Sequence, residues 1–569
     1  MTATRNGRQR AAAVNGIRAA IRALMVCAGL LGVVLVVSAC QTIAPGGPLP
    51  ATGSSDAATT VSRADAEAAA ALRQVIEAEP AVLAPQTAFA RAFYERRQFR
   101  PAWTTPIGLD ERGRQVQAVL ETAWADGLGS VAVPVAAESG EGPLDAVTRA
   151  RRDASLTAAL ADYVHSALPL RPVWAPPIAE GVLGALEAIA ADDPSATRPG
   201  RLFRLVSEDD RHARLRRGLL RYHALADAGG WPLIEADGPK LEPGDRHGDI
   251  LVVRARLRAT GDLSGGPVPA DPERIDPDLA AAIERFQARH GLTVDGILGP
   301  RTRAALAVSA EDRVRQMALN LRRLSQMPPP PGGRSVEVNI AGAVLEGRED
   351  GVTIFRTDVI VGMEDRPTPR LRSAINTLVL NPTWTVPTSI ASEDLLPKLR
   401  DDPEYLTRNS FQVFDGWTRE SEELDPATID WHSEDLDIRG LRLRQRPGAS
   451  NALGAIKFMF PNDHDVYLHS TPSRGLFARS ERTFSSGCVR VRDPIDLATF
   501  VMNEPEAWNP ETFKGRMASG QTRSVHPGQS VPVALVYFTA WVDEAGTVQF
   551  RRDVYGHDAR DMAMMARSM

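Results

Sequence analysis

The run Pro328-Pro329-Pro330-Pro331-Gly332-Gly333 divides the chain into two kinds of polymer. Proline lacks an amide hydrogen and clashes with the preceding helical turn, so neither a helix nor an inner strand runs through four of them. Upstream, apolar residues recur with a helical period. Val116, Val119, Leu120 and Ala123, then Leu156, Leu160, Tyr163 and Val164, predict an α-helical region over 63–235. It shows no fixed-length repeat, which argues against a solenoid. A basic amphipathic helix over 311–324 leads into the prolines. Downstream the period becomes two. "SVEVNIAG", "GVTIFRTDVIVG", "INTLVLN", "DVYLHS", "VPVALVYFTAWVD" and "GTVQFRRDVY" alternate and are rich in β-branched and aromatic residues. They predict a mostly β domain over 333–556, with a turn at 543–546 and helices at "DPIDLATFVMN" and within 390–410. Residues 390–450 interrupt that pattern with helix-like and loop sequence, and 557–569 read as a tail. The fold class is α+β and multidomain, in keeping with 569 residues at about 150 per domain.

A smaller unit occupies 236–309. Leu279, Ile283 and Phe286 form one helical stripe, Asp295-Gly296 marks a turn, and Pro300 suits the first turn of another helix. Together with "GDILVVRARLRATGDL" these predict a three-helix module. A formal charge of −5 gives no basic field of the kind nucleic-acid binders use.

The first 40 residues carry Arg5, Arg8, Arg10, Arg18 and Arg22, no acid, and then the apolar run "ALMVCAGLLGVVLVVSAC". That run is shorter than the ~20 residues of a bilayer span and ends in small residues, as export signals do. Its end, Val37-Ser38-Ala39-Cys40, resembles a bacterial lipobox, which implies lipidation of Cys40 and a periplasmic, membrane-anchored protein. Gln41 stands where an inner-membrane retention signal has Asp, which favours the outer membrane. Residues 41–62, rich in Pro, Gly, Ala, Ser and Thr, suit a flexible tether. Of the three cysteines, Cys27 then lies in the removed signal and Cys40 carries lipid, so Cys488 is the one thiol of the mature chain. A lone unpaired thiol in an oxidising compartment points to reactivity; the alternative is a buried packing residue.

Cys488 lies in "SSGCVRV", nineteen residues after His469 of "DVYLHS". Strand alternation puts Tyr467 and His469 on one face, and Cys488 and Arg490 on one side of their own segment. A histidine within reach raises the thiolate fraction by ion pairing and protonates a leaving amine. Gly487 permits a sharp turn that offers the amides of Gly487 and Cys488 to a developing oxyanion.

Two stretches resemble known families. Phe286, Gln287, Gly291, Leu292, Asp295, Gly296, Gly299, Thr302 and Leu306 resemble the peptidoglycan-binding module, which implies a wall ligand or a spacer. His469, Thr471, Ser485, Ser486, Gly487, Cys488, Val489 and Arg490 resemble the active-site motif of the L,D-transpeptidases, with Ser486 where many members have His. "VIVGMEDRPTP", "LNPTWTVP" and "NALGAIKFMFPN" resemble the large periplasmic members, which carry a helical scaffold and an inserted cap. The resemblance implies acyl transfer by Cys488 with His469 as acid and base, and formation of 3→3 cross-links between peptidoglycan stem peptides with release of D-Ala. Gly487, Tyr467 and Ser486 would shape the oxyanion site; Arg490, Thr471 and Trp384 would contact substrate. It implies no metal or cofactor, carbapenems as covalent inhibitors, and a lid over 390–450. Two rival readings are a zinc amidase using His432, His464 and His469, although no HExxH pair exists, and a non-catalytic wall anchor.

Overall fold

A computed structural model describes residues 63–78, 87–126, 144–167, 178–191, 209–328 and 332–567. The export signal, Cys40 and the tether lie outside the described residues.

Five helices, α1 (Arg63–Ala78), α2 (Thr87–Arg96), α3 (Glu111–Glu121), α4 (Ala146–Ala167) and α5 (Ile178–Ala191), bury one core containing Leu72, Phe93, Trp103, Leu160 and Val164. Asp153 of α4 sits in that core with no exposed surface. Its carboxylate accepts from the Ala102 and Trp103 amides at 2.9 Å and from the Tyr94 and Thr104 hydroxyls at 2.7 Å. A buried charge is tolerated when donors replace its water in this way.

The helix α6 (Asp210–Asp227) precedes the three-helix module of α7 (Asp249–Ala259), α8 (Pro277–Arg289) and α9 (Pro300–Leu306). Asp276 caps α8 by accepting from the Leu279 amide at 2.8 Å, and Pro277 and Pro300 open their helices where a missing N–H costs nothing. Buried Gln287 explains the Asp-Gly turn. Its carbonyl accepts from the Asp295 and Gly296 amides while its NH₂ donates to Asp295 and to the Ile297 carbonyl.

Ser309 caps α10 (Ala310–Ser325) by accepting from the Asp312 amide. The stripe Met317, Leu321 and Leu324 packs on Leu215 and Leu219 of α6 and on Val542, Val548 and Phe550 near the end of the chain. Segments before and after the prolines therefore share a core.

Beyond the prolines run β1 (Arg334–Asn339), β2 (Val344–Glu349), β3 (Val352–Gly362), β4 (Leu371–Ile375), β5 (Thr377–Leu380), β6 (Trp384–Thr385), β7 (Phe411–Phe414), β8 (Glu423–Leu424), β9 (Arg442–Gln445), β10 (Ile456–Met459), β11 (Leu468–His469), β12 (Thr483–Ser485), β13 (Val489–Val491), β14 (Arg523–Val525), β15 (Val531–Val536), β16 (Ala540–Val542) and β17 (Val548–Phe550). The main sheet has the order β14-β5-β10-β11-β13-β3-β2-β1-β15-β4, with β12 pairing to β3. The β2–β3 ladder is bulged, with Ile354 left between the Gly347–Phe355 and Arg348–Thr353 pairs; a Cβ on Gly347 would lie 2.0 Å from the Phe355 ring, so only glycine lets the ring cross. Helix α11 (Pro494–Met502) contributes Leu497, Ala498 and Val501 to the core of this sheet. The architecture is mixed α/β: a helical N-terminal region, a small helical module and a curled-sheet domain.

Three expectations change. The 390–450 segment is more than helix and loop, because β7, β8 and β9 join β6 in a second sheet with its own core of Leu399, Phe411, Val413, Trp431 and Leu443. "VPVALVYFTAWVD" is two strands, β15 in the main sheet and β16 in a hairpin with β17. Helix α12 (Pro510–Ala518) precedes β14, and the segment read as a tail is a helix, α13 (His557–Arg567), tied to α10 by Arg323 with Asp558 and Asp561 at 2.7 Å.

Candidate active site

Strand β11 is two residues long and lies between β10 and β13, so it is paired on both sides. Directly opposed residues share a face. The row Leu378–Phe458–Leu468–Val489 crosses four strands on the core face, and all four residues are fully buried. The next row, Lys457–His469–Arg490, turns to the opposite face. Tyr467 precedes His469 by two residues and Cys488 precedes Arg490 by two, which gives them the same face. Val489 donates to the Tyr467 carbonyl at 3.1 Å, continuing the ladder up to the cysteine. The histidine and the cysteine thus occupy adjacent parallel segments, offset by two residues.

His469 is 4% exposed. Its Nδ1 lies 2.6 Å from the Ser470 carbonyl, so Nδ1 carries the proton and Nε2 keeps its lone pair. Burial, with the Arg490 and Lys457 cations adding to it, pushes the imidazole down to about 3. Burial also pushes the Cys488 thiol up, against the opposing influence of the Tyr467 amide and hydroxyl, Lys457 and Arg490. The sulfur donates to the Asp465 carbonyl at 3.8 Å, which needs a protonated thiol. At neutral pH the resting pair is therefore neutral thiol and neutral imidazole. An ion pair is disfavoured at rest, because a charged imidazole would face the half-buried cations Lys457 and Arg490.

Lys457 is the residue that sequence reasoning missed. It sits inside "IKFMF", which reads as an apolar strand, and its opposition to His469 exists only through register. Its ammonium lies 3.7 Å from the Tyr467 ring centroid, and burial lowers its pKa.

The predicted oxyanion loop is corrected in one respect. Gly487, at φ 108°, does make the turn no other residue would favour. However, its amide donates to Ser485 Oγ at 3.2 Å, so this N–H is already committed. Its carbonyl accepts from Thr368 at 2.8 Å. Donors left to face an oxyanion beside the sulfur are the Cys488 amide and the Tyr467 hydroxyl. Ser486 is exposed, and its hydroxyl accepts from Arg366 at 3.2 Å; Arg366 also pairs with Asp394 at 2.5 Å and Glu393 at 2.8 Å. Ser486 is thereby linked to the inserted segment.

Trp384 stands on β6 of the inserted sheet, and its side chain opposes the rise that burial gives the Tyr467 hydroxyl's pKa. Thr471 is buried and accepts from the Ser473 amide at 3.2 Å, a loop-shaping contact. Among the described residues no carboxylate pairs with Arg490, whose Nε is buried without a partner. His432 lies in the inserted segment beside the Arg400 carbonyl, and His464 is exposed. Among the described residues no three His, Cys, Asp or Glu side chains gather into a metal-ligating group, so the zinc reading has no donor set there.

A histidine and a cysteine thus share one face of a curled sheet, beside a glycine turn. Residues 333–533 match the model of the L,D-transpeptidase catalytic domain, 246–306 that of a "Putative peptidoglycan binding domain", and 88–169 that of a scaffold domain. The curated Haemophilus influenzae protein named "Putative L,D-transpeptidase" is 38% identical over 254 residues, covering 44% of this chain and 50% of that protein. The chain thus aligns with half of that relative's length. Solved L,D-transpeptidases from Stackebrandtia nassauensis (15% identical, 53% of this chain and 96% of that one, TM-score 0.20) and Xylanimonas cellulosilytica (17%, 53% and 100%, TM-score 0.16) are further matches, too distant to bear on geometry. Residues 333–533 are thus similar to L,D-transpeptidase catalytic domains, and 246–306 to a peptidoglycan-binding module.

Proposed function

We propose that the protein is a peptidoglycan L,D-transpeptidase that forms 3→3 cross-links through a thioester on Cys488. The observation that carries this reading is the row Lys457–His469–Arg490 with Tyr467 and Cys488 on the same sheet face. His469 Nε2 takes the thiol proton as the sulfur attacks the carbonyl between the diamino acid and the fourth-position D-Ala of a stem tetrapeptide. The sulfur–carbon bond forms, the Cys488 amide and Tyr467 hydroxyl receive the oxyanion, and the carbon–nitrogen bond breaks as His469 returns the proton to D-Ala. An acceptor amine on a second stem then attacks the thioester, gives its proton to His469, and the sulfur leaves with that proton. One amide replaces another, which needs no metal or cofactor. Water in place of the amine gives carboxypeptidase activity.

Lys457 and Arg490 favour the thiolate as it forms and resist an imidazolium at rest, so charge separation is confined to the reacting complex. Arg490 also supplies an unpaired guanidinium for a substrate carboxylate. The inserted sheet acts as a lid that fixes Tyr467 through Trp384 and excludes water; deleting 400–440 from a folded enzyme should raise hydrolysis relative to transfer. Carbapenems should acylate the same sulfur. Anchoring through lipid on Cys40, in the periplasm and at the outer membrane, belongs to this reading, and Cys40→Ala should then fail to incorporate labelled fatty acid. The test of the reaction is incubation of the enzyme with tetrapeptide donor and amine acceptor: D-Ala release with a 3→3 product supports it, and cleavage or cross-linking that survives Cys488→Ala defeats it.

A further inference from the structure

A cavity of about 360 Å³ opens between the three-helix module, α10 and the catalytic domain, and the reaction above makes no use of it. Five arginines line it against one carboxylate, Glu481. Glu481 is taken up by Arg301 at 2.7 Å and Arg552 at 2.5 Å, while Arg482 pairs with Asp358 at 2.9 Å. Arg313 and Arg551 have no carboxylate among the described residues. Arg313, 5% exposed, donates to Gln316 and the Ala305 carbonyl, and its Nε has no partner there. The Arg551 guanidinium donates to the Arg289 and Phe550 carbonyls. It reaches the cavity past Gly291, where a Cβ would lie 2.4 Å from its Nε. Burial, with Arg356 and Arg482 adding to it, holds Arg551 down to about 9, and burial with Arg289 holds Arg313 down to about 10.

The third polar wall is His290, also 5% exposed. Its Nδ1 lies 2.7 Å from the Phe286 carbonyl and so holds the proton, which leaves Nε2 an acceptor with no partner among the described residues. Arg313 also stacks on the Phe550 ring at 4.4 Å and Arg551 on the Trp541 ring at 4.8 Å, but neither cation has a carboxylate, and beside an acceptor without a donor they suit a ligand that brings an anion and an N–H donor together. Leu292, Ala305, Val308 and Val554 add apolar wall. A peptide ending in a small residue has all three features: a terminal carboxylate, the adjacent amide N–H and a methyl-sized side chain.

We propose that this cavity is a second peptide site, distinct from the Cys488 face, which takes the carboxylate end of a wall peptide between the binding module and the catalytic domain. The assignment of the peptide to the wall rests on the transpeptidase reading. Calorimetry with the full chain carrying Cys488→Ala, which removes acylation, tests it with three probes: N-acetyl-D-alanyl-D-alanine, its C-terminal amide, and inorganic phosphate. Binding of the dipeptide should weaken at least tenfold in the amide, and at least tenfold in both Arg551→Gln and Ala304→Trp. Ala304 is an exposed residue of the lining, so the tryptophan blocks the space without emptying a core. Equal binding of dipeptide and amide, phosphate binding as tight as the dipeptide, or unchanged affinity in both variants would overturn the site. Thioester formation on wild-type Cys488 is scored separately, so lost peptide binding with an intact thioester defeats the cavity and spares the enzyme reading.

Discussion

The two faces of the main sheet are built from the same strands and obey opposite rules. On one face Leu378, Phe458, Leu468 and Val489 meet the core with no exposed surface, and an apolar residue of similar volume would serve there. One residue along, Lys457, His469 and Arg490 place a neutral imidazole between two cations, an arrangement that stabilises nothing at rest. The contrast teaches that the core face holds the register and the register assembles the site. A slip of one residue would exchange the two rows.

The largest effect expected is on the reacting face: Cys488→Ala should abolish D-Ala release, and His469→Gln should lower it about 10²- to 10⁴-fold with little change in thermal stability. Phe458→Ala should do the reverse, costing about 3–5 kcal/mol in denaturant unfolding. If Phe458→Ala left stability intact, or His469→Gln unfolded the domain, the division of labour between the faces would be wrong.

A third test uses pH. The folded-state pKa of His469 lies near 3 and its ordinary value at 6.5, so between them the unfolded chain binds a proton that the native chain refuses. Stability is full above pH 6.5 and falls with pH, by roughly 2 kcal/mol at pH 5 from this residue. Urea unfolding of His469→Gln at pH 7 and pH 5 should show a shallower loss than the parent; buried His212 and His290, also lowered, keep some slope in both. The smallest effect is expected at Lys457. Lys457→Met removes a cation that favours the thiolate, so the pH midpoint of Cys488 alkylation by iodoacetamide should rise and alkylation at pH 8 should slow. A midpoint that falls would show that the lysine does not act on the sulfur.

Patterns local in sequence were legible. Helices α4 and α10 fall where the 3.6-residue stripes put them, and His469, Cys488 and the glycine turn stood out because reactive residue types lay close together. What escaped depends on partners distant in the chain. Lys457 looks like an interruption in an apolar strand until β10 pairs with β11. The Gly487 amide looks available until Ser485 folds back onto it. "VPVALVYFTAWVD" reads as one strand because alternation continues through Tyr537 and Phe538, although β15 and β16 serve different sheets. The Arg313 and Arg551 cavity is invisible in sequence, since its walls come from the module, α10 and the C-terminal hairpin.

The central claim is that the Cys488 sulfur, deprotonated on demand by neutral His469, carries the acyl group. Intact-protein mass spectrometry of the enzyme with a stem tetrapeptide donor and no acceptor measures this directly. The account predicts an adduct equal to the donor less D-Ala, mapped to Cys488, discharged by hydroxylamine and nearly absent in His469→Gln. An adduct on another residue, or turnover with Cys488 alkylated, would contradict it.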